Sequence, residues 1–244
     1  MKNLFKQLSP KASTRRQARW TMLEKLAGSG GFKMYRSNLE WTDDPEFLRV
    51  SQEWGAIPGM PDDRRYFLFD IARRLKALEG DTADIGVRFG SSSFFILSGL
   101  NNPHRQHHVF DSFEGLSEPS PEDAVAGRTK WTKGKLAVSQ EQTQKNLSMF
   151  SNISYYKGWI PDRYPEVADR RFALVHIDVD LFEPTRDSLE FFYERTVPGG
   201  VIVSDDYGVT SCVGARKAID TFFSGKNETV ISLTTGQCII VKSP

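Results

Sequence analysis

The sequence predicts an α/β fold: a mostly parallel sheet of seven strands, helices on both faces, and an antiparallel hairpin at the end. Three observations predict it. Short apolar runs alternate with helical patterns from Asp63 onward. Several of those runs end on an acid, at Asp111, Asp178 and Asp205. Near the C-terminus, two β-rich segments flank Thr235-Gly236, the spacing of a hairpin turn.

The elements follow in order. Residues 1–60 are broken by Gly28, Gly30 and Gly31, then by Pro45, Pro58 and Pro61, which predicts two or three short helices joined by loops. Tyr66, Phe67, Phe69, Ile71, Leu75 and Leu78 suit an amphipathic helix ending near Gly80. A strand over Ala83–Val87 leads through Gly86 and Gly90 into a helix over Ser91–Gly99. His108–Phe110 is a second strand, and residues 114–137 form a long loop able to act as a lid. A polar helix over Ser139–Met149, a strand over Ile153–Tyr156 and an apolar strand over Phe172–Ile177 come next. A helix over Thr185–Thr196 is closed by Pro198-Gly199-Gly200, followed by a strand over Val201–Val203, a helix over Val213–Phe223, and the hairpin of Thr229–Leu233 with Gln237–Val241. This divides the chain into an N-terminal helical extension, 1–62, and one α/β domain, 63–244.

Bulk properties exclude several classes. The 32 basic and 31 acidic residues of this 244-residue chain leave a net charge of +1, so a nucleic-acid partner is not expected. Two cysteines, Cys212 and Cys238, make no disulfide framework and no zinc spacing, and point to a reducing cytoplasm. No run approaches the roughly 18 apolar residues of a membrane helix, and no signal peptide is visible, so no membrane partner is expected. The first twenty residues are basic without an acid, through Lys2, Lys6, Lys11, Arg15, Arg16 and Arg19, which reads as a solvated arm, a transit segment or a contact for an anionic partner.

Three segments carry chemistry. The first is Asp84-x-Gly86-x-x-x-Gly90 followed by Ser91 and Ser92, a strand–glycine turn–helix that lets backbone approach a ligand at a helix start. It is neither a dinucleotide fingerprint nor a phosphate loop, and a plain tight turn is the alternative. The second is Phe110-Asp111-Ser112, where an acid at the end of the next strand suits ribose hydroxyls, a helix cap being the alternative. The third joins Asp178 and Asp180 to Asp205 and Asp206. Neighbouring strand ends bring these four carboxylates to one edge, where a cation of the Mg²⁺, Ca²⁺ or Mn²⁺ kind would neutralise them. Ordinary turn acids are the alternative. His104, His107 and His108 read as solvated or structural residues in a polar loop, and Trp131, Tyr155, Tyr156 and Trp159 as core, surface or pocket aromatics.

In order, the strings Asp84-x-Gly86-Val-x-x-Gly90, Phe110-Asp-Ser-Phe-Glu-Gly-Leu116, Lys157-Gly158-Trp159, His176-Ile-Asp178-Val-Asp180-Leu-Phe-Glu-Pro-Thr185, Pro198-Gly-Gly200 and Asp205-Asp206-Tyr-Gly208 resemble the macrocin O-methyltransferase family. That family includes sugar O-methyltransferases of macrolide and aminocoumarin biosynthesis. The resemblance covers residues 64–242. It implies a Rossmann-like class I methyltransferase fold, S-adenosylmethionine as donor, Mg²⁺ or another hard divalent cation, and the hydroxyl of a small molecule, such as a sugar or other natural product, as acceptor. By motif it implies metal carboxylates at Asp178, Asp205 and Asp206, a general base at Asp180, and cofactor contacts at Asp84, Gly86, Gly90, Ser92, Asp111, Ser112, Gly158, Trp159 and Asp178. One branch of the family places a histidine directly after the Asp-Asp-Tyr string. Gly208 stands there in this chain, which leaves Asp180 as the base. The family's usual acid in the first string is glutamate, and this chain has Asp84.

Two readings compete with methyl transfer. Asp178-Val-Asp180 is also the DxD string of a metal-dependent glycosyltransferase, although few basic residues flank it to hold a diphosphate. A non-catalytic S-adenosylmethionine-binding module is the other. The acceptor is not legible, and the first 60 residues leave a cap over the site or a homo-oligomer contact open.

Overall fold

A computed structural model describes residues 12–31, 39–125, 127 and 129–244. The expectation of a basic arm falls largely on residues 1–11, outside the described part. Contacts divide the chain into two compact units, Met1–Leu48 and Arg49–Pro244.

In the first unit, helix α1 (Ala12–Ser29) stops before Gly31, whose φ of +79° is a left-handed conformation. At 18 residues it is longer than the short helices expected there. Met22, Leu23 and Leu26 are exposed on it. Helix α2 (Pro45–Trp54) begins with a proline, which lacks only an N–H that no helical carbonyl would accept. The carboxylate of Asp44 accepts from the Glu46 and Phe47 N–H groups, each at 3.0 Å.

The second unit holds the sheet. Its strands are β1 (Asp81–Ile85), β2 (His107–Asp111), β3 (Ile153–Lys157), β4 (Phe172–Ile177), β5 (Thr196–Ser204), β6 (Ile231–Ser232) and β7 (Cys238–Val241), in the order β3-β2-β1-β4-β5-β7-β6. The first five are mutually parallel, and β7 runs antiparallel to β5 and β6. The chain crosses from β3, at one edge, to β4, beside β1. That reversal opens a crevice beyond the carboxyl ends of β1 and β4.

Helices α3 (Asp62–Arg74) and α4 (Ser91–Leu100) cover one face, with Leu68, Ala72, Ile96 and Leu100 packed on Leu174, Val201 and Val203. Helices α6 (Phe182–Tyr193) and α7 (Val213–Phe223) cover the other, through Phe192, Ile219 and Phe223 on Ala83, Val175, Ile177 and Ile202. A short α5 (Gln140–Asn146) precedes β3 and is capped by Ser139. Because side chains alternate along a strand, Thr82, Asp84, Leu174, His176, Val201 and Val203 share the α3–α4 face. No described helix is long and apolar enough to cross a membrane.

Four local expectations are corrected. Helix α3 ends at Arg74 rather than near Gly80: the Leu75 carbonyl accepts from the Leu78 N–H in a tight turn, and the Arg105 guanidinium donates to the Leu75 and Lys76 carbonyls. Helix α6 begins at Phe182, three residues before Thr185, since Pro184 falls in its first turn, where no N–H is needed. Pro198-Gly199-Gly200 lies inside β5 instead of closing the helix. The stretch bulges between the Phe172↔Thr196 and Leu174↔Val201 pairs, and the Gly199 N–H donates to Lys242 O. His107 and His108 sit inside β2 and are buried, not in a polar loop.

Candidate active site

The crevice holds a cavity of about 610 Å³ bordered by residues from every parallel strand end. Its walls divide into a glycine-turn side and a carboxylate side.

On the first side, β1 turns at Gly86. A Cβ there would stand 1.8 Å from the Asp178 carbonyl oxygen, and its φ is +86°, so only glycine allows β1 and β4 to close together. At the end of β2, Asp111 accepts from the Arg88 N–H (2.9 Å) and the Phe113 N–H (2.7 Å). Burial pushes its carboxyl above the ordinary value, and these two backbone bonds oppose the shift. The Ser112 hydroxyl donates to Gly115 O (2.9 Å), closing the turn of the second motif. The Gly158 N–H donates to Asp111 O (3.0 Å) and brings Trp159 into the wall. Gly86, Ser92, Asp111, Ser112, Gly158 and Trp159 all border the cavity.

Asp84 and Gly90 do not border it. Gly90 is the left-handed cap of α4 (φ +93°). Asp84 is wholly buried. Its Oδ2 accepts from Ser92 Oγ (2.6 Å) and Ser93 Oγ (2.5 Å), and its Oδ1 from His176 Nδ1 (2.8 Å). Its side chain faces the core rather than the cavity. Of the four aromatics, Trp131 and Trp159 reach the cavity. Tyr156 stacks on Phe110 (4.6 Å between centroids), and Tyr155 packs beside Val87, Val109 and Phe113.

On the second side, Asp178, Asp180, Asp205 and Asp206 all border the cavity. Alternation past the end of β5 sends Asp205 toward α3 and Asp206 toward α7. Asp205 is closely engaged: Arg64 donates to its Oδ2, and Gln237 Nε2 to its Oδ1 (2.7 Å). His176 Nε2 lies 3.5 Å from the same Oδ1, at ion-pair range. Burial would raise Asp205, but His176, Arg64 and Gln237 hold it below the usual carboxylate range. His176 itself is raised well above its ordinary value: burial opposes this, and Asp205 and Asp84 outweigh it.

The other three acids are pushed up. Asp178 is raised by burial and by Asp205, Asp206 and Asp180. Asp206 is pushed up to about 8 by burial and by Asp180 and Asp205. Asp180 is raised chiefly by burial. Asp180 has a left-handed backbone (φ +60°) although it is not glycine. Its N–H donates to Asp206 Oδ2 (2.8 Å), and Cys212 Sγ donates to its Oδ1 (3.4 Å). Among the described residues, donor atoms of Asp180, Asp206 and Cys212 lie within 4.8 Å of one another. Among the described residues, no lysine or arginine forms an ion pair with Asp178, Asp180 or Asp206. This crowding of hard oxygen donors, with Arg88 and Lys135 acting on Asp180 only from beyond ion-pair range, fits a divalent cation.

Long-range partners escaped the sequence reading. Arg64 is 141 residues from Asp205, in a helix whose pattern signals only packing. His176 stood inside a motif without a role, and Cys212 was read only for redox compartment. The His107 and His108 rings are structural, bonded to Thr82 and Ser93, and to Asp81 and Tyr156. The loop over 114–137 is tied down at Asp123 and Trp131. Asp123 accepts from the Phe182 N–H at the start of α6 (2.8 Å), and Trp131 Nε1 donates to Ser211 O (2.8 Å).

The sheet order and the strand-end site together define the Rossmann-like class I methyltransferase fold. The chain belongs to the macrocin-O-methyltransferase (TylF) family, which matches residues 70–232. It is 33% identical over 143 residues to the 8-demethyl-8-(2,3-dimethoxy-alpha-L-rhamnosyl)-tetracenomycin-C 4'-O-methyltransferase of Streptomyces olivaceus, covering 54% of this chain and 55% of that protein. It is 29% identical over 155 residues to the demethyldecarbamoylnovobiocin O-methyltransferase of Streptomyces niveus, covering 59% and 58%. The matched segment thus spans little more than half the length of these relatives. The solved structure of the O-methyltransferase NovP aligns at a TM-score of 0.65 with 24% identity, over 75% of this chain and 81% of that one. An O-methyltransferase from Bacillus cereus, solved in complex with SAH, aligns at 0.57 with 17% identity, over 85% and 96%.

Proposed function

We propose that this protein is an S-adenosylmethionine-dependent O-methyltransferase that acts, with a divalent cation, on a hydroxyl of a sugar-bearing or other natural-product acceptor. The observation that carries the reading is one cavity with a glycine turn and the Asp111 carboxylate on one wall and four aspartates on the other. The family relationship supports it, since the relatives are named O-methyltransferases, one of them of a rhamnosyl-tetracenomycin.

S-Adenosylmethionine supplies an electrophilic methyl group. Asp111 has carboxylate lone pairs left over from its two backbone bonds, enough to accept from ribose hydroxyls. Gly86 and Gly158 keep the backbone close to the ligand, and Ser92, Ser112 and Trp159 complete that wall.

A hard cation, Mg²⁺ or one like it, would lower the pKa of an acceptor hydroxyl when bound. Asp178 and Asp206 would hold it, and Asp205 would join them by giving up a contact with Arg64 or Gln237. Asp180 accepts the hydroxyl proton. Its raised pKa makes it a stronger base than a free aspartate, and its strained backbone fixes where the carboxylate points. Trp131, Leu116 and Leu136 of the anchored loop exclude water from the reacting oxygen.

Calorimetric titration with S-adenosylhomocysteine, with Mg²⁺ and with chelator, tests the reading. Saturable binding is expected in both. No binding in either removes it.

A further inference from the structure

The sheet face under α3 and α4 carries a row of buried polar side chains of which methyl transfer as outlined uses only Ser92 and Asp205. Asp84 on β1 and His176 on β4 are register partners, His176 pairs with Val203 on β5, and Asp205 follows two residues on. Asp84 and His176 have zero exposure, and neither borders the cavity. From the first turn of α4, Ser92 and Ser93 donate to Asp84 (2.6 and 2.5 Å), and Asp84 accepts from His176 (2.8 Å). The far ring nitrogen of His176 makes no hydrogen bond and faces Asp205 at ion-pair range, 3.5 Å. Behind Ser93 the row continues to His107 (2.9 Å) and Thr82 (2.7 Å).

Apolar side chains of similar volume would fill this space without the desolvation cost of burying ions. A connected polar row in a dry core fixes orientations instead. Here its two ends lie in different walls of the cavity. Ser91 and Ser92, at the start of α4, border the glycine-turn side, and Asp205 borders the carboxylate side.

We propose that His176 is a positioning residue that couples the two walls, transmitting the placement of the α4 N-terminus to the carboxylate of Asp205. The inference rests on the methyl-transfer reading, because it assigns the cofactor to one wall and the cation to the other. Coupling between two ligands is reciprocal, so each must tighten the other by the same factor.

The experiment uses the full chain. S-Adenosylhomocysteine is titrated calorimetrically with and without saturating Mn²⁺, and Mn²⁺ is titrated by electron paramagnetic resonance with and without S-adenosylhomocysteine. In the wild type each ligand tightens the other by about tenfold, a common size for coupling between sites. His176→Asn keeps an N–H toward Asp84 and lacks the arm toward Asp205. It binds S-adenosylhomocysteine alone as the wild type does and loses the coupling. His176→Gln, long enough to reach Asp205, regains part of it. Ser93→Ala, a milder change at the other end of the row, reduces the coupling and serves if the histidine variants do not fold. A coupling factor in His176→Asn or Ser93→Ala equal to that of the wild type overturns the proposal. So does binding of both ligands to the wild type without coupling, which leaves the methyl-transfer reading standing. Absence of S-adenosylhomocysteine binding overturns both, and binding of it without any Mn²⁺ signal overturns the proposal together with the cation.

Discussion

Arg64 and the buried Asp205 form a partly buried ion pair in the cavity wall that joins α3 to the end of β5. The same arginine donates to Thr235 O (2.9 Å) at the turn between β6 and β7. One side chain thus ties a helix, a parallel strand end and the antiparallel hairpin to a single carboxylate.

Arg64→Gln is expected to cost about 3 kcal/mol of unfolding free energy, the low end for breaking a buried pair, because Asp205 is left with less compensation. Urea denaturation measures it. Added Mn²⁺ should restore more stability to the variant than to the wild type, since an oxygen of Asp205 is released. Equal effects of Mn²⁺ on both proteins would argue against a cation near Asp205.

Asp180→Asn should lower kcat by about a hundred- to ten-thousand-fold, the usual range for a general base. Asparagine tolerates the left-handed backbone, so the loop keeps its shape. Affinity for S-adenosylhomocysteine should stay unchanged by calorimetry. A variant that turns over like the wild type would remove Asp180 from the mechanism.

Gly208→His places the histidine found in another branch of the family. A Cβ at this position would lie 2.9 Å from the Gly236 Cα, and the Gly208 N–H already donates to Gly236 O (2.7 Å). The variant should be destabilised by about 2 kcal/mol, as overpacked sites are. It should not rescue Asp180→Asn. Recovered turnover in the double variant would mean that the hairpin yields more easily than this packing implies.

Away from the cavity, Glu228 accepts from the Tyr193 hydroxyl (2.8 Å) and the Ser243 N–H (3.2 Å), with Lys242 at 3.5 Å. Burial would raise its pKa, but these partners hold it at about 2, against an ordinary 4.5. A depressed folded value means that the stabilisation is present above the unfolded value and is lost as pH falls through the folded one. Glu228→Gln should therefore cost on the order of 2 kcal/mol at neutral pH, and the difference should vanish toward about pH 2. Denaturation midpoints of both proteins across that range test this. A difference that does not change with pH would assign the effect to packing.

Periodicity carried the parts of the fold that depend on neighbours in sequence. β4 over Phe172–Ile177 and α7 over Val213–Phe223 were read to the residue, because each is a clean apolar pattern between turn signals. The boundaries that moved were set from afar or by special residues. A tight turn bonded by Arg105 followed α3, Pro184 hid in a helical first turn, and the glycines of β5 bulged rather than broke. The site divides the same way. Acids at strand ends are visible in a string, and the rule for parallel sheets gathers them. Arg64 and Gln237 become site residues only because β7 inserts beside β5 and α3 crosses the face above it. Asp84 looked like a ligand contact since its string is familiar. Its partner, 92 residues away, turns it inward instead.

The bulge at Pro198–Gly200 separates two kinds of tolerance to change in chain length. Asp205 and Asp206 serve opposite sides of the sheet, so one residue gained or lost between Val201 and Ser204 would exchange their directions and dismantle the cavity wall. The same gain before Val201 falls where β5 is already out of step with β4, and the irregularity can absorb it. An insertion ahead of the strand's core is thus tolerated, while the few residues that aim the two acids must keep their number.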